Sequence, residues 1–375
     1  MRKSNILFSI VFLGIIFGFF FVDIFTPDLT FSYSENRTLQ QSPKLSWGTI
    51  KDGSFMSDME VYVNDQIKFR DDFVKISTYI KLAMGQKEIN GVYITDDYLI
   101  EKFKESDIDK ELLDKNIDFV STFLDKHSNA YISLIPTSTE ILGNKLSKYA
   151  GNVDQQELIN FIYNGKQSID IYNKLLEHNT EDIYYKTDHH WTTLGAYYGY
   201  LSICEELGLE AMSLSEFDKV EIDAEFKGTI QSKVNLSFEN DILYKYVPNN
   251  LGVTYSRVVD EMYQQSSDSL YDLSKLNSKE KYAVYVGGNS SITRIFTENG
   301  KEDKGRLLLI KDSFSHSLAP FLANHYSEVV LVDLRYYMGG IEYFLKSEKE
   351  DFNDIIVIFN LKNFVDDRNL IRLSK

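Results

Sequence analysis

The alternation of apolar runs with helical stretches after about residue 280 is the feature that most limits the possible folds. Continuous apolar runs are typical of strands that are buried on both faces of a sheet. Strand, helix and strand in succession predict a parallel sheet flanked by helices, with right-handed crossovers. The predicted fold class is therefore α/β. Strands are predicted at 282–286, 306–310, 329–332 and 355–359, and helices at 314–325 and 339–345.

Weaker patterns upstream predict further elements that precede this sheet. Residues 210–280 are mixed and polar, and we interpret them as an inserted lobe or a long excursion from the domain. Apolar spacing predicts a hairpin at 91–94 and 98–100, strands at 130–135 and 182–185, and helices at 107–126, 154–164, 166–178 and about 193–207.

An uncharged run near the N-terminus, residues 6–22, predicts one transmembrane helix. At 1.5 Å per residue the run reaches about 26 Å, close to the thickness of a bilayer core. Arg2 and Lys3 precede the run and Asp23 follows it, so the positive-inside rule places the N-terminus in the cytoplasm. A cleaved signal peptide is the alternative, although no small-residue cleavage site follows the phenylalanines at 19–21.

Three parts are predicted along the chain. Residues 1–25 form a cytoplasmic tip and the anchor, residues 26–85 a juxtamembrane collar, and residues 86–375 the α/β domain. Within the collar, apolar positions recur at roughly helical spacing from about Gly53. The predicted location is the cell membrane, which the chain crosses once, with the α/β domain outside the cytoplasm.

The charge and the cysteine content exclude some classes of protein. A net charge of −16 argues against a nucleic-acid partner, because binding to phosphates needs clustered Lys and Arg. The single cysteine, Cys204, rules out an intrachain disulfide, and its apolar surroundings favour a small core residue. We predict neither a cofactor nor a resident metal.

The stretch Asp188-His189-His190-Trp191 combines an acid, two imidazoles and an indole. In extended backbone, residues i and i+2 point to the same side, so Asp188 and His190 can share one face. Asp188 would then fix the tautomer of His190, which would act as a general base, and Trp191 would wall the site. The alternative is that both histidines are structural residues beside a core tryptophan.

Ser313 stands where a predicted buried strand turns into a helix. That position lies at the carboxyl edge of the sheet, where the free N–H groups and the dipole of a helix N-terminus favour a developing oxyanion. We therefore predict that Ser313 is a nucleophile, although it could simply cap the helix. Ser315, His316 and Ser317 are rivals that fall inside the predicted helix.

Five further residues are candidates for stabilising an anion or contacting a substrate. Gly288 and Asn289 follow a predicted strand, and Arg335 and Tyr336 follow another, while Trp191 adjoins the predicted base. A plain turn at Gly288 and a surface salt bridge at Arg335 are the alternative interpretations.

The motif Asp188-His189-His190-Trp191, followed by Lys311-Asp312-Ser313, resembles the signature of the DHHW proteins of Firmicutes. That group is similar to the alginate O-acetyltransferases, which carry a Ser-His-Asp triad in an SGNH-hydrolase-like domain. The resemblance covers about residue 33 to the C-terminus. It implies that Ser313 is the nucleophile, His190 the base and Asp188 its orienter. The pattern has a glycine directly before Asp-Ser, where this chain has Lys311.

The sequence and the resemblance together favour a membrane-anchored O-acyltransferase, with acetyl as the acyl group and a cell-surface polysaccharide as the acceptor. The resemblance also implies a membrane-bound acyltransferase as the donor partner. One alternative is an esterase or deacetylase of the SGNH type, and another is a non-catalytic assembly protein of the cell envelope. Asp-His-His also occurs in metal-dependent phosphoesterases, but no matching Asp-x-Asp set accompanies it here.

Overall fold

The structure is a computed structural model that describes residues 2–32, 37–249, 252–259 and 265–375. The chain divides into two units, one of Met1–Asn90 with Gln231–Ser237 and one of Gly91–Ile230 with Phe238–Lys375. The boundaries predicted for the anchor, the collar and the α/β domain stay a prediction. The predicted excursion includes residues 250–251 and 260–264, which lie outside the described residues.

The first unit begins with a long apolar helix, α1, at Arg2–Phe25. Its segment Asn5–Phe25 is long and apolar enough to cross a membrane, and none of its most apolar part is buried. A membrane anchor and a signal sequence both fit such a helix. Two helices that follow it, at Ser54–Gln66 and Arg70–Ala83, confirm the helical spacing predicted from Gly53. The other elements are β1 Phe31–Ser32, β2 Arg37–Thr38, α2 Trp47–Lys51, α3 Ser54–Gln66, α4 Arg70–Ala83 and β3 Glu88–Ile89.

The second unit holds the remaining helices and strands. Its first half contains β4 Val92–Ile94, β5 Leu99–Glu101, α5 Lys110–Lys126, β6 Ala130–Ile135, α6 Ser138–Ile141, α7 Gln155–Tyr163, α8 Tyr172–Glu177 and α9 Thr193–Leu207. Then come β7 Phe217–Phe226, α10 Thr229–Val234, which begins in this unit, β8 Asp241–Pro248, β9 Thr254–Val259 and β10 Gln265–Ser267. The last part has β11 Ile292–Glu298, β12 Arg306–Lys311, α11 Ser315–Leu322, β13 Glu328–Val332, α12 Ile341–Ser347, β14 Asp354–Asn360 and α13 Leu361–Asp366. Short 3-10 helices lie at Glu105–Asp107, Gly143–Lys145, Leu214–Glu216, Leu273–Asn277, Lys281–Val284 and Leu370–Ser374.

A mixed sheet of seven strands organises the second unit, in the order β10-β9-β11-β13-β12-β14-β6. Strands β13, β12, β14 and β6 pair in parallel, and every residue of β12, β13 and β14 is buried. Continuous apolar runs predicted this burial. On the other side, β11 pairs antiparallel with β13, β9 with β11 and β10 with β9. The predicted parallel sheet is therefore wrong for this edge.

Three local predictions are also wrong. The strand predicted at 282–286 is the 3-10 helix Lys281–Val284 followed by a loop in which Val286 has a φ of +50°. The strand at 182–185 is reduced to one bridge between Tyr184 and Trp191, and the helix at 166–178 is limited to α8. Buried tyrosines and valines are typical of core strands, but the same residues can be buried in a 3-10 helix or a loop. The composition of these segments alone therefore could not separate a strand from the conformation that the structure shows.

Helix α9 lies very close to the segment that leads to Trp191. The Thr192 side chain accepts a hydrogen bond from the Gly195 N–H and so caps the helix, which ends at Gly208 in the left-handed conformation. A Cβ on Gly195 would lie 2.3 Å from the Ile183 carbonyl oxygen, and a Cβ on Gly199 would lie 2.8 Å from the Trp191 ring. Glycine at these two positions lets α9 pack directly against the indole.

Candidate functional site

An Asx turn presents the acid and the imidazole. Tyr184 bridges Trp191, so the chain between them folds back on itself. Within this hairpin, Asp188 Oδ1 accepts a hydrogen bond from the His190 backbone N at 3.0 Å. An aspartate bonded to the amide two residues ahead closes an Asx turn. Asp188 and His190 therefore meet across a bend rather than along the extended backbone that we predicted.

Asp188, His190 and Ser313 form one line of hydrogen bonds. His190 Nδ1 lies 2.5 Å from Asp188 Oδ1, and His190 Nε2 lies 2.7 Å from Ser313 Oγ. Asp188 and His190 are buried, while Ser313 is partly exposed. The structure thus brings together three predicted residues from segments 123 positions apart in the sequence.

Asp312 fixes the turn that carries Ser313. Its Oδ1 accepts from the Phe314 N–H at 2.9 Å, and its Oδ2 accepts from the Asn360 N–H at 2.8 Å and from Asn363 Nδ2 at 2.7 Å. These bonds tie the end of β12 to the end of β14. Ser313 therefore lies at the carboxyl edge of the parallel strands, one residue before the N-cap of α11.

A second segment holds the far side of the Asp188 carboxylate. Oδ2 of Asp188 accepts from the Thr229 N–H at 2.8 Å and from the Thr229 hydroxyl at 3.1 Å. A Cβ on Gly228 would lie 2.2 Å from the Asp188 Cβ, so only glycine allows this approach. Neither residue was predicted, because both lie in the polar stretch that we interpreted as an excursion.

Tyr282 forms one wall of the imidazole site. Its ring stacks on His190 with centroids 3.9 Å apart and an interplanar angle of 12°. Its hydroxyl lies 3.0 Å from Ser317 Oγ, which fixes the ring in place. Sequence reasoning missed this role, because Tyr282 stood inside a predicted strand and no local pattern connects it to a histidine far away in the chain.

The predicted residues Arg335, Asn289 and Tyr336 lie together. Arg335 donates to both oxygens of Asp333, from Nε at 2.9 Å and from Nη2 at 2.7 Å. Arg335 Nη2 also lies 3.3 Å from Asn289 Oδ1, and its guanidinium is 5.7 Å from the centroid of the half-exposed Tyr336 ring. This cluster places a fixed positive charge close enough to influence the pKa of His190.

Two other predicted residues already donate hydrogen bonds within the protein. The Gly288 N–H donates to the Tyr285 carbonyl at 3.1 Å. Trp191 has no exposed surface, and its indole N–H donates to the Phe314 carbonyl at 2.9 Å. The prediction that Trp191 contacts a substrate is therefore corrected, because the indole supports the loop after Ser313 from inside the core.

The rival residues in α11 point elsewhere. Ser317 hydrogen-bonds to buried aromatic side chains, and His316 Nε2 lies 2.7 Å from Lys311 Nζ. Ser315 Oγ is buried and has no hydrogen-bond partner within the part of the chain that the structure describes. Ser313, just before α11, is the residue whose hydroxyl lies within hydrogen-bond distance of His190 Nε2.

Asp188, His189 and His190 also have the composition of a metal site. One possible ligand atom from each lies within 4.8 Å of the others. His190 Nδ1, however, is hydrogen-bonded to Asp188 Oδ1, and Oδ2 accepts from Thr229. These donor atoms are thus directed at one another and at Thr229 instead of converging on a common point.

Asp241 connects the site to a cleft of about 480 Å³. The Asp241 carboxylate accepts from the backbone N–H groups of Lys186 at 2.7 Å and Thr187 at 2.8 Å. Burial raises the pKa of Asp241 to about 6. The cleft is lined by Asp241 and its neighbours, and neither His190 nor Ser313 lines it.

At neutral pH Asp188 and His190 are in the protonation states that a general base and its orienting acid require. Burial lowers the pKa of His190 to about 4, with His189 acting in the same direction and Asp188 against it. Burial would raise the pKa of Asp188, but the two imidazoles and the hydrogen bonds hold it well below its ordinary value. At neutral pH the imidazole is therefore neutral and the carboxylate ionised. Nδ1 donates to Asp188, which leaves Nε2 free to accept from the Ser313 hydroxyl.

Comparison with known families agrees with the motif. Residues 84–332 match the model of the family described as DHHW protein. The chain belongs to the DHHW family. The matched range covers well over half of the 375 residues and contains all three members of the hydrogen-bonded line. No curated protein matched this DHHW chain.

Several solved structures are similar to this DHHW chain. A DHHW family protein from Eubacterium siraeum has 23% identity and a TM-score of 0.62, with 76% of this chain and 96% of the other covered. PatB1 from Bacillus cereus, solved with a sulfonyl adduct, has 22% identity and a TM-score of 0.58, with 74% and 96% covered. The O-acetyltransferase domain of AlgJ from Pseudomonas putida has 13% identity and a TM-score of 0.46, with 76% and 98% covered. The first two similarities show a shared fold.

The acid limb of the pH–rate profile is expected to report His190. A base must be neutral to accept a proton, so kcat/KM for p-nitrophenyl acetate should be constant above the pKa and fall below it. With the pKa of His190 at about 4, the rate should drop about tenfold per pH unit below that value. Hydrolysis by the full-length protein, corrected for the Ser313→Ala variant, measures the profile.

His189→Gln is the matched variant for this profile. Removing that imidazole takes away a charge that lowers the pKa of His190, so the inflexion should move to higher pH. An inflexion near pH 6 that disappears in Asp241→Asn would instead assign the profile to Asp241.

Proposed function

We propose that this protein is an extracytoplasmic O-acyltransferase that moves an acyl group, acetyl in the first instance, to a hydroxyl of a cell-surface polysaccharide. The observation that carries the proposal is the line of hydrogen bonds from Asp188 through His190 to Ser313. An acid, an imidazole and a hydroxyl in this order make up the general apparatus of acyl transfer. Membership of the DHHW family and the resemblance to the alginate O-acetyltransferases support the choice of acetyl.

In the proposed mechanism Ser313 and His190 act twice. Ser313 Oγ attacks the carbonyl carbon of an acyl ester while His190 Nε2 takes the hydroxyl proton, and that proton then leaves with the departing alcohol. An acyl-Ser313 ester remains. His190 next takes the proton of a sugar hydroxyl, whose oxygen attacks the acyl carbon. The proton returns to Ser313 Oγ as the new sugar ester leaves.

The oxyanion that forms in both steps needs donors beside Ser313. Within the described part of the chain the Ser313 N–H has no hydrogen-bond partner, and it lies just before α11. We propose this N–H as one donor, with Arg335 and Asn289 contributing charge and an amide from the neighbouring loops. Preorganised donors of this kind commonly account for a large share of the rate.

The proposal also includes the fold of the domain, its anchoring in the membrane and the source of the acyl group. We propose that the domain is SGNH-hydrolase-like around its four parallel strands and that α1 is an uncleaved anchor with the N-terminus in the cytoplasm. The juxtamembrane collar would keep the α/β domain near the membrane. A membrane-bound acyltransferase would then supply the acyl donor.

A transfer assay tests the proposal directly. Full-length protein in detergent is mixed with p-nitrophenyl acetate and either neutral oligomers of N-acetylglucosamine or acidic oligomers of a uronic acid. We expect oligomers that gain the mass of an acetyl group in amounts that depend on Ser313. A sulfonyl fluoride is the covalent probe, because PatB1 has been solved with a sulfonyl adduct. We expect it to label Ser313.

The other outcomes separate the alternatives. Release of nitrophenol without any acetylated oligomer would make the protein an esterase with the same three residues. An inert protein that the sulfonyl fluoride does not label would favour an assembly protein of the cell envelope. Activity that is lost with a chelator and restored by a divalent metal would assign Asp188, His189 and His190 to a metal site.

A further inference from the structure

Helix α4 of the first unit carries an exposed apolar stripe. Phe69 and Met84 flank the helix, and Phe73, Ile76 and Ile80 lie within it, at successive steps of three or four residues. Side chains at such steps lie on one face of a helix. Each of the five is between 47% and 81% exposed. The apolar stripe of a soluble helix normally faces the core, so an exposed one marks a surface that meets something else.

The opposite face of α4 already packs inside the first unit. Thr78 is the buried residue of the helix, and its hydroxyl lies 3.1 Å from the Val234 carbonyl oxygen. Val74 and Leu82, one turn to either side of Thr78, are partly buried. The first unit therefore holds α4 by this face, which keeps the apolar stripe at its surface.

Two contacts with α1 show where the stripe lies along that long apolar helix. Asp23, near the end of α1, accepts a hydrogen bond from the Lys68 backbone N–H at 2.8 Å. The rings of Phe19 and Phe73 have centroids 5.8 Å apart. Phe19 lies four residues before Asp23, which is about 6 Å further back along α1. Helices that lie in a membrane interface bury their apolar face by about 5–10 Å, so the level of Phe73 fits such a helix.

The charge around α4 is opposite in sign to that of the whole chain. Residues 68–87 carry five basic and two acidic side chains, a net charge of +3, whereas the whole chain has a net charge of −16. Basic side chains around an apolar helix face are attracted to anionic lipid headgroups. Two copies that paired through the stripe would instead bring like charges together, which opposes pairing. The charge therefore favours a lipid surface over a second copy.

We propose that α4 is an interfacial helix whose apolar stripe lies in the outer leaflet of the membrane that α1 crosses. The proposal rests on the anchor proposed above, but not on the chemistry of acyl transfer. A single helix that crosses a membrane can turn about its own axis. A second apolar contact with the same leaflet fixes both the depth and the tilt of the first unit.

Quenching by lipids that carry a nitroxide tests this contact. The full-length protein, with Cys204→Ala to remove its single cysteine, is placed at one copy per disc in nanodiscs of phosphatidylcholine and phosphatidylglycerol. An NBD fluorophore is attached through Ile80→Cys, or through Lys81→Cys as the control on another face of α4, or through Ile16→Cys as the reference within α1.

We expect the nitroxide lipid to quench the fluorophore at Ile80→Cys at least about twofold more than at Lys81→Cys, because adjacent helical positions point about 100° apart. Iodide in the water should quench the two in the reverse order. Both side chains are exposed, so the fold should be kept, and circular dichroism checks this.

A charge on the stripe gives an independent test. Ile76→Glu should reduce lipid quenching at Ile80→Cys, because an ionised carboxylate opposes insertion of this face into the apolar part of the leaflet. Ile76→Leu, which keeps an apolar side chain, is the matched control and should leave the quenching unchanged.

The other results overturn the proposal in distinguishable ways. Lipid quenching at Ile80→Cys that is no greater than at Lys81→Cys, while Ile16→Cys is quenched, would keep the anchor and assign the stripe to a protein partner. An absence of lipid quenching at Ile16→Cys would reject the anchor and the interfacial helix together. Neither result depends on Ser313, so the transfer assay decides the proposed chemistry separately.

Discussion

Ser313→Ala is expected to reduce the hydrolysis of p-nitrophenyl acetate by about 10³-fold or more. The hydroxyl that His190 Nε2 meets at 2.7 Å is then missing, so no acyl-enzyme can form. Intact-mass measurement should show an acetyl adduct on the wild type and none on the variant. Because the side chain is small and partly exposed, the fold should be kept, and circular dichroism checks this.

Ser315→Ala is the matched control for this result. Ser315 was a rival nucleophile, but its hydroxyl is buried and has no hydrogen-bond partner within the described residues. Its removal breaks no bond in the structure, so activity and adduct should stay at the level of the wild type. If Ser313→Ala keeps its activity while Ser315→Ala loses it, the nucleophile has been assigned to the wrong residue.

The sequence predicted the centre of the fold better than its edge. Strands β12, β13 and β14 are buried on both faces, and such strands must be apolar throughout, which leaves a clear signal. Strand β11 mixes buried and exposed positions, and β9 lies in a polar stretch that gave no strand signal. Their places in the sheet depend on pairing with partners distant in sequence, which local composition does not encode.

The same distinction applies to the candidate site. Asp188 and His190 could be paired from the sequence because they are neighbours, although an Asx turn and not an extended strand brings them together. Ser313 could be found because strand-to-helix turns have a local signature. Thr229 and Tyr282 contact Asp188 and His190 from distant parts of the chain. No spacing rule connects such residues, so only the folded chain reveals them.

Asp188→Asn is expected to lower kcat by about 10⁴-fold, the size of effect known for the equivalent change in a protease triad. Asp188 acts only as an acceptor: Oδ1 faces the His190 N–H and Nδ1, and Oδ2 faces the N–H and hydroxyl of Thr229. An amide must direct its NH₂ at one of these sides. Directed at Thr229 it meets another donor, and directed at His190 Nδ1 it favours the tautomer with the proton on Nε2. That tautomer cannot accept a proton from Ser313.

Thr229→Val is the graded control for the same carboxylate. It removes the Thr229 hydroxyl, which donates to Asp188 Oδ2 at 3.1 Å and lies 2.9 Å from His189 Nδ1, but it keeps the backbone N–H bond to Asp188 at 2.8 Å and the charge of Asp188. A hydrogen bond to an ionised carboxylate contributes about 1.5–3 kcal/mol, so the loss of kcat should lie between about tenfold and about 150-fold, well below the loss expected for Asp188→Asn. Kinetics on p-nitrophenyl acetate, with melting temperatures to check folding, compare the two variants. Equal, small losses would mean that Asp188 does not set the tautomer of His190 and that the imidazole works without an acid behind it.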